Sequence, residues 1–129
     1  MEMKILVVDD EEVIRDLLKT AFTEAGYTVH CAESAEEAQE VLKQQNIQVM
    51  FLDLQLPGLN GEELCWRIRK DDPIAIIYAM TGYASRFELA FCRDAGFDDY
   101  FIKPVELKVL LNAAADGFER LNRWREQQV

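Results

Sequence analysis

The sequence predicts an α/β domain of the doubly wound class, a five-stranded parallel sheet with helices on both faces. Three observations lead there. Short apolar runs alternate with segments of helical periodicity along all 129 residues. The apolar runs are close to continuous, as in strands covered on both faces. Half of the residues are hydrophobic, and the length suits one compact domain that can bury a core without disulfides or a structural metal.

The elements follow in order. Lys4–Val8 is an apolar run ending in Asp9-Asp10. From Glu11, apolar residues recur at Val13, Leu17, Ala21 and Ala25 and at Ile14, Leu18 and Phe22, one face of an amphipathic helix that Gly26 stops. Tyr27–Cys31 reads as the second strand. Ser34 caps the next helix, with Glu37 completing a capping box and Ala35, Ala38 and Leu42 on its inner side. Ile47–Leu52 is the third strand and ends in Asp53. Pro57-Gly58 and Asn60-Gly61 make Leu54–Gly61 a loop. Glu62–Lys70 is helical, with a Glu63–Arg67 pair one turn apart, and Asp72-Pro73 breaks it. Ile74–Met80 is the fourth strand, ending in Thr81-Gly82. A fourth helix runs from about Ser85 to Ala95 and stops at Gly96. Asp99–Ile102 is a short fifth strand leading into Lys103-Pro104, and the last helix starts near Val105. Right-handed crossovers leave few windings. The flavodoxin-like order 2-1-3-4-5 fits best and sets strands 1 and 3 side by side at its switch point.

Charge and cysteine usage narrow the function. The net charge of −10 repels a phosphate backbone, so direct nucleic-acid binding is not expected. Cys31, Cys65 and Cys92 are odd in number and lack CxxC spacing; they read as reduced thiols of a cytoplasmic protein. The start shows no signal-peptide pattern. No apolar run approaches the roughly 20 residues that span a bilayer.

Ligands of open α/β sheets bind outside the carboxyl ends of the strands. Here strand 1 ends in Asp9-Asp10, strand 3 in Asp53, strand 4 in Thr81 and strand 5 in Lys103. Three crowded carboxylates call for protons or a divalent cation. Oxygen ligands suit Mg²⁺, which readily shares its coordination with a phosphate. An aspartate can attack phosphorus to give an aspartyl phosphate, and the charge on the transferred group needs cationic clamps. Mg²⁺ and the Lys103 ammonium would supply two, and the Thr81 hydroxyl could donate to a further oxygen.

With these motifs in view, the chain resembles a two-component response-regulator receiver domain of the chemotaxis-regulator kind. The matching stretches are ILVVDDEE, MFLDLQLPGLNGEEL around Asp53, AMTGYA and AGFDDYFIKP, covering roughly residues 3 to 120. No single stretch is decisive; their order, each at a strand end, carries the likeness. The resemblance implies a phosphoprotein switch that accepts its phosphoryl group on Asp53 from a sensor histidine kinase or a phosphotransfer protein. It would catalyse only its own phosphorylation and dephosphorylation. It implies Mg²⁺ held directly by Asp10 and Asp53, with Asp9 acting through water or its place in the acidic pair, and with the Gln55 carbonyl completing the protein ligands. Thr81 and Lys103 would bind phosphoryl oxygens, Thr81 and Tyr100 would form the switch, and the Lys103–Pro104 bond would be cis. Signalling, and self-association, would use the face of the fourth helix, fifth strand and fifth helix.

Other readings stand beside these. Asp9 and Asp10 also suit a helix N-terminus, Thr81 a turn, and Tyr100 an ordinary strand aromatic. His30 reads as structural and Trp66 as helix packing. Phe87 and Phe91 share a helix face and are either core or an apolar docking patch; the resemblance makes a polar residue usual at Phe91. A dehalogenase-like phosphatase would carry a second aspartate where Gln55 stands. A nucleotide-binding module would need a glycine-rich loop where Asp9–Glu12 stands. A receiver-like scaffold that takes no phosphate would not need the full acidic, Thr and Lys set. Residues 1–121 are expected to form the receiver and 122–129 a helical extension or linker, in a stand-alone protein or a piece of a longer one. Leu107, Leu111, Ala114, Phe118 and Leu121 follow a heptad spacing, Gly117 is a place where the helix could bend, and the tail reads either as frayed or as a projecting helix that pairs with a second copy or leads into an output domain.

Overall fold

The structure, a computed structural model, describes residues 2–82 and 85–126, with Arg86 and Phe87 in backbone only. The elements alternate strictly: β1 (Lys4–Val8), α1 (Glu12–Glu24), β2 (Thr28–Ala32), α2 (Ala35–Gln44), β3 (Val49–Asp53), α3 (Gly61–Asp71), β4 (Ile76–Thr81), α4 (Arg86–Ala95), β5 (Asp99–Ile102) and α5 (Leu107–Glu126). All strand pairs are parallel and the sheet order is β2-β1-β3-β4-β5, as expected.

The continuous apolar runs have a direct physical cause. Successive strand side chains point to opposite faces, and both faces are covered. Leu6, Val8, Met50, Leu52, Ile77 and Ala79 pack under α2, α3 and α4 with Ala38, Leu64, Ile68 and Cys92. Ile5, Val7, Val49, Phe51, Tyr78 and Met80 pack under α1 and α5 with Leu18, Phe22, Leu110 and Leu121.

Several boundaries differ from the sequence reading. β4 starts at Ile76 rather than Ile74, because the Ala75 N–H donates to the Asp72 carbonyl and holds a turn; strand pairing begins where Ile76 N–H meets the Gln48 carbonyl at 2.7 Å. β2 lies one residue later than expected, and Ser85 is the N-cap of α4, its hydroxyl accepting from Glu88 N–H at 3.1 Å. Ser34 caps α2 through Glu37 N–H as predicted.

The predicted seam of α5 faces the sheet. Leu110, Ala114 and Leu121 are buried, while Leu107, Leu111 and Phe118 pack half-buried beside them, Phe118 stacked on Tyr27 at 5.1 Å. That stripe is therefore not open to a second copy. Gly117 does not break α5. It lets the helix approach the sheet, since a Cβ there would lie 3.1 Å from Ile76 Cγ2 and 3.2 Å from the Tyr78 hydroxyl. The helix continues to Glu126, and the Arg125 guanidinium donates to the Gln48 side chain of the domain body. Residues 127–129 lie outside the described residues.

Candidate functional site

The parallel register assembles the site. Val8 is level with Leu52, so Asp9 leaves β1 beside the end of β3 at Asp53. Thr81 is level with Ile102, and the Lys103 N–H donates to the Thr81 carbonyl at 2.7 Å, which carries Lys103 to the same edge. All the strand-end residues singled out in the sequence thus meet at one rim.

Asp9 is fully buried, Asp53 is 3% exposed, Thr81 is buried and Asp10 is exposed. One carboxylate oxygen from each of the three aspartates lies within 4.8 Å of the others. Backbone donors hold two of them: Asp9 Oδ1 accepts from Glu11 N–H at 2.9 Å, and Asp53 Oδ1 accepts from Gln55 N–H at 3.0 Å. Asp9 thus secures the entry to α1 from its side chain, and Glu11, the N-cap residue itself, makes no side-chain cap. The Arg15 guanidinium ties the Asp9 carbonyl at 2.8 Å.

The remaining oxygens face Lys103. Its Nζ is 2.9 Å from Asp9 Oδ2, 3.4 Å from Asp53 Oδ2 and 3.8 Å from Glu11 Oε1. The contact with Asp9 is one of charge more than of hydrogen-bond direction, for Asp9 Oδ2 is the buried side-chain oxygen without a well-directed donor among the described residues. Burial pushes the Asp53 carboxyl up to about 6; the Asp9 charge adds to this, and the Gln55 N–H and Lys103 oppose it. Burial alone would lower Lys103, but its contact with Asp9 and the charges of Asp53 and Asp9 prevail and raise it. One ammonium thus serves three carboxylates. The hard oxygen donors, their spacing and an Asp9 Oδ2 held by charge without a well-directed donor fit a divalent cation that brings its own water.

Two contributors were not singled out in the sequence. Glu11 joins the cluster around Lys103. Gly61 permits β3 and α3 to touch: a Cβ there would lie 2.4 Å from the Asp53 carbonyl oxygen. The Asn-Gly pair before α3 was its only sequence signal. Tyr100 stands on β5 level with Ala79 and is exposed. The Lys103–Pro104 peptide is cis. Phe91 resolves an open reading: it is 62% exposed and not core. Trp66 is not plain helix packing either, being 48% exposed with the Lys70 ammonium 4.1 Å from the ring centroid. The Phe87 side chain lies outside the described residues.

A buried aspartate, an acidic pair, a threonine and a lysine on the rim of a 2-1-3-4-5 sheet define a receiver-type signalling domain. Residues 5–115 match the model of the response regulator receiver domain, and the chain belongs to that family. It is 35% identical over 106 residues to the transcriptional regulatory protein AfsQ1 of Streptomyces coelicolor, covering 82% of this chain and 47% of that protein. It is 35% identical over 126 residues to the transcriptional regulatory protein AruR of Pseudomonas aeruginosa, covering 94% of this chain and 51% of that one. The chain therefore spans about half the length of these curated relatives. Among solved structures, a CheY-like response regulator receiver domain protein from Methanospirillum hungatei superposes with a TM-score of 0.91 at 30% identity, over 95% of this chain and 98% of that one. The family is one of signalling domains rather than conventional enzymes, and it does not favour the dehalogenase-like alternative. Among the described residues, no helix is long and apolar enough to cross a membrane.

Proposed function

We propose that the chain is a phosphoacceptor switch in which Asp53 takes a phosphoryl group from a phosphohistidine of a sensor histidine kinase or phosphotransfer protein. The observation that carries this reading is Asp53 itself: a carboxylate buried at a strand end, with Lys103 Nζ at 3.4 Å and two further carboxylates within reach of a shared cation. Asp10 and Asp53, with the Gln55 carbonyl, would hold Mg²⁺, and Asp9 would support it through water. When bound, the metal neutralises charge on the transferring group.

The chain's own residues do the rest. An Asp53 oxygen forms the bond to phosphorus as the phosphorus–nitrogen bond of the donor breaks, the nitrogen leaving with the bonding pair. With its carboxyl at about 6, Asp53 is mostly ionised at neutral pH and needs no general base. Lys103 gives up part of its contact with Asp53 to meet a phosphoryl oxygen, and the Thr81 hydroxyl donates to another. Movement of Thr81 toward the phosphoryl group frees space for Tyr100 to turn inward, changing the α4-β5-α5 face on which Tyr100, Ile102 and Val109 are exposed. That face is the proposed output surface, self-association included. Residues 1–121 act as the receiver and 122–129 as a helical extension or linker. The domain works in the cytoplasm and makes no direct contact with nucleic acid.

Asp10→Ala tests the metal assignment. Removing the exposed carboxylate leaves the fold intact, or more stable as repulsion is relieved, while Mg²⁺ affinity by calorimetry falls at least tenfold and labelling by acetyl phosphate slows with it. Unchanged Mg²⁺ affinity would remove Asp10 from the site.

A further inference from the structure

We infer that the groove between α3 and α4 is a docking site for a cationic amphipathic helix of a partner protein, separate from the phosphoacceptor rim and from the α4-β5-α5 face. The groove is open, about 480 Å³, and its lining includes Glu62, Glu63, Trp66, Phe91, Asp94 and Ala95 beside Asn60. Its floor carries two of the chain's large exposed aromatics, 62% exposed at Phe91 and 48% at Trp66. Isolated exposed apolar side chains are ordinary, but two aromatics converging on one depression ringed by polar groups have the anatomy of a binding surface.

Charge complementarity fixes the occupant. Three of the seven lining residues are carboxylates, and Glu88 of α4 adds a fourth charge that Glu62 feels. Only Glu63 has a cation of its own, Arg67 at 3.5 Å; among the described residues Glu62, Glu88 and Asp94 have no ion-pair partner. Glu62 is half-buried, and burial followed by the Glu88 charge raises its carboxyl above the ordinary range. A basic side chain laid along the groove relieves that repulsion. The Trp66 ring already receives a cation, Lys70, and indole faces and acidic rims select the same partner chemistry. An apolar anchor between Trp66 and Phe91, flanked one turn away by lysine or arginine, is the pattern of an amphipathic helix in a groove. An acidic or purely apolar segment would leave the carboxylates unpaired.

The test needs no phosphorylation, so its failure is distinct from failure of the phosphoacceptor reading. In a Trp124→Phe background, Trp66 is the sole indole. Its emission is followed while a synthetic 16-residue amphipathic helix of leucine and lysine is titrated, with a leucine–glutamate peptide of the same pattern as control. The expected result is a saturable change with the lysine peptide alone, weakened at least tenfold by Phe91→Ser and by Glu62→Gln combined with Asp94→Asn. Circular dichroism confirms that both variants fold. Undiminished binding by the folded variants would show general attraction to an acidic protein and overturn the proposal, as would equal binding of the two peptides or no saturable change. Self-association by sedimentation that Phe91→Ser abolishes would assign the groove to a second copy instead and equally overturn it.

Discussion

Replacing Gly61 with alanine tests whether the end of β3 and the start of α3 form one rigid unit. The added Cβ would lie 2.4 Å from the Asp53 carbonyl oxygen and 2.8 Å from Leu54 Cα, both backbone atoms that cannot swing aside. Real Cβ atoms keep at least 3.0 Å from such neighbours, so one segment must retreat by the difference from 2.4 Å, 0.6 Å or more. The hydrogen bond from Gly61 N–H to the Leu54 carbonyl, 3.2 Å long, resists that retreat. Overpacking costs about 1–3 kcal/mol, and the better helix propensity of alanine returns at most about 1 kcal/mol. Urea denaturation should therefore show a net loss of about 1–2 kcal/mol. The displaced backbone belongs to the proposed nucleophile, and misplacement on a scale of about 1 Å can cost roughly 100-fold in rate. Acetyl phosphate labelling of Asp53 should slow by about 10- to 100-fold. A Gly61→Ala protein as stable as the parent and labelled at the parental rate would refute the reasoning. Lost stability with parental labelling would show that α3 yields rather than Asp53.

Two further substitutions probe the charges. Lys103→Ala leaves the fully buried Asp9 without its cation, and breaking such a pair should cost about 3 kcal/mol at neutral pH; Lys103→Arg should recover only part of stability and labelling, because a planar fork does not replace a compact ammonium. Unchanged thermal melting of Lys103→Ala would show that the pair contributes nothing. Asp53→Asn should stabilise the metal-free protein in a pH-dependent way. The raised carboxyl means that the folded state binds a proton between the ordinary value of 3.8 and about 6 that the unfolded chain does not, so stability is lost as pH rises through that window. The amide escapes this loss, gaining up to about 3 kcal/mol above pH 6 and nothing below pH 4. A gain independent of pH, or none, would contradict the burial argument.

The parts of the fold legible in the sequence are those governed by burial on both faces. Ile5–Val8 of β1 and Val49–Leu52 of β3 are apolar because none of these residues reaches water, so their position and the polar residues ending them could be read directly. The start of β4 could not, since Ile74 is as apolar as Ile76 and only the Asp72–Ala75 turn separates them. The α5 seam was visible, but its spacing serves a sheet as well as a second helix. The site was legible because four of the five strands deliver polar residues to a common edge, whereas Glu11 enters through a contact distant in sequence and Gly61 through a close backbone approach that only the folded loop creates. Asp98 is a further case. Within AGFDDYFIKP it looks like its neighbour Asp99, yet it accepts from Ile77 N–H at 2.8 Å and pairs with Arg69 at 3.1 Å and Arg120 at 3.4 Å. Arg69 also donates to the carbonyls of Pro73, Ala75 and Gly96, joining α3, β4 and the end of α4. No local pattern announces such a hub.

The central claim is that Asp53 accepts a phosphoryl group with the help of a divalent cation held by its acidic neighbours. Incubation with acetyl phosphate, with Mg²⁺ or with EDTA, followed by borohydride trapping and peptide mass mapping, tests it most directly. The predicted result is a single modified residue, Asp53, labelled only when Mg²⁺ is present, with no label in Asp53→Asn. Label on another residue, label indifferent to EDTA, or no label on a folded, Mg²⁺-loaded protein would contradict the account.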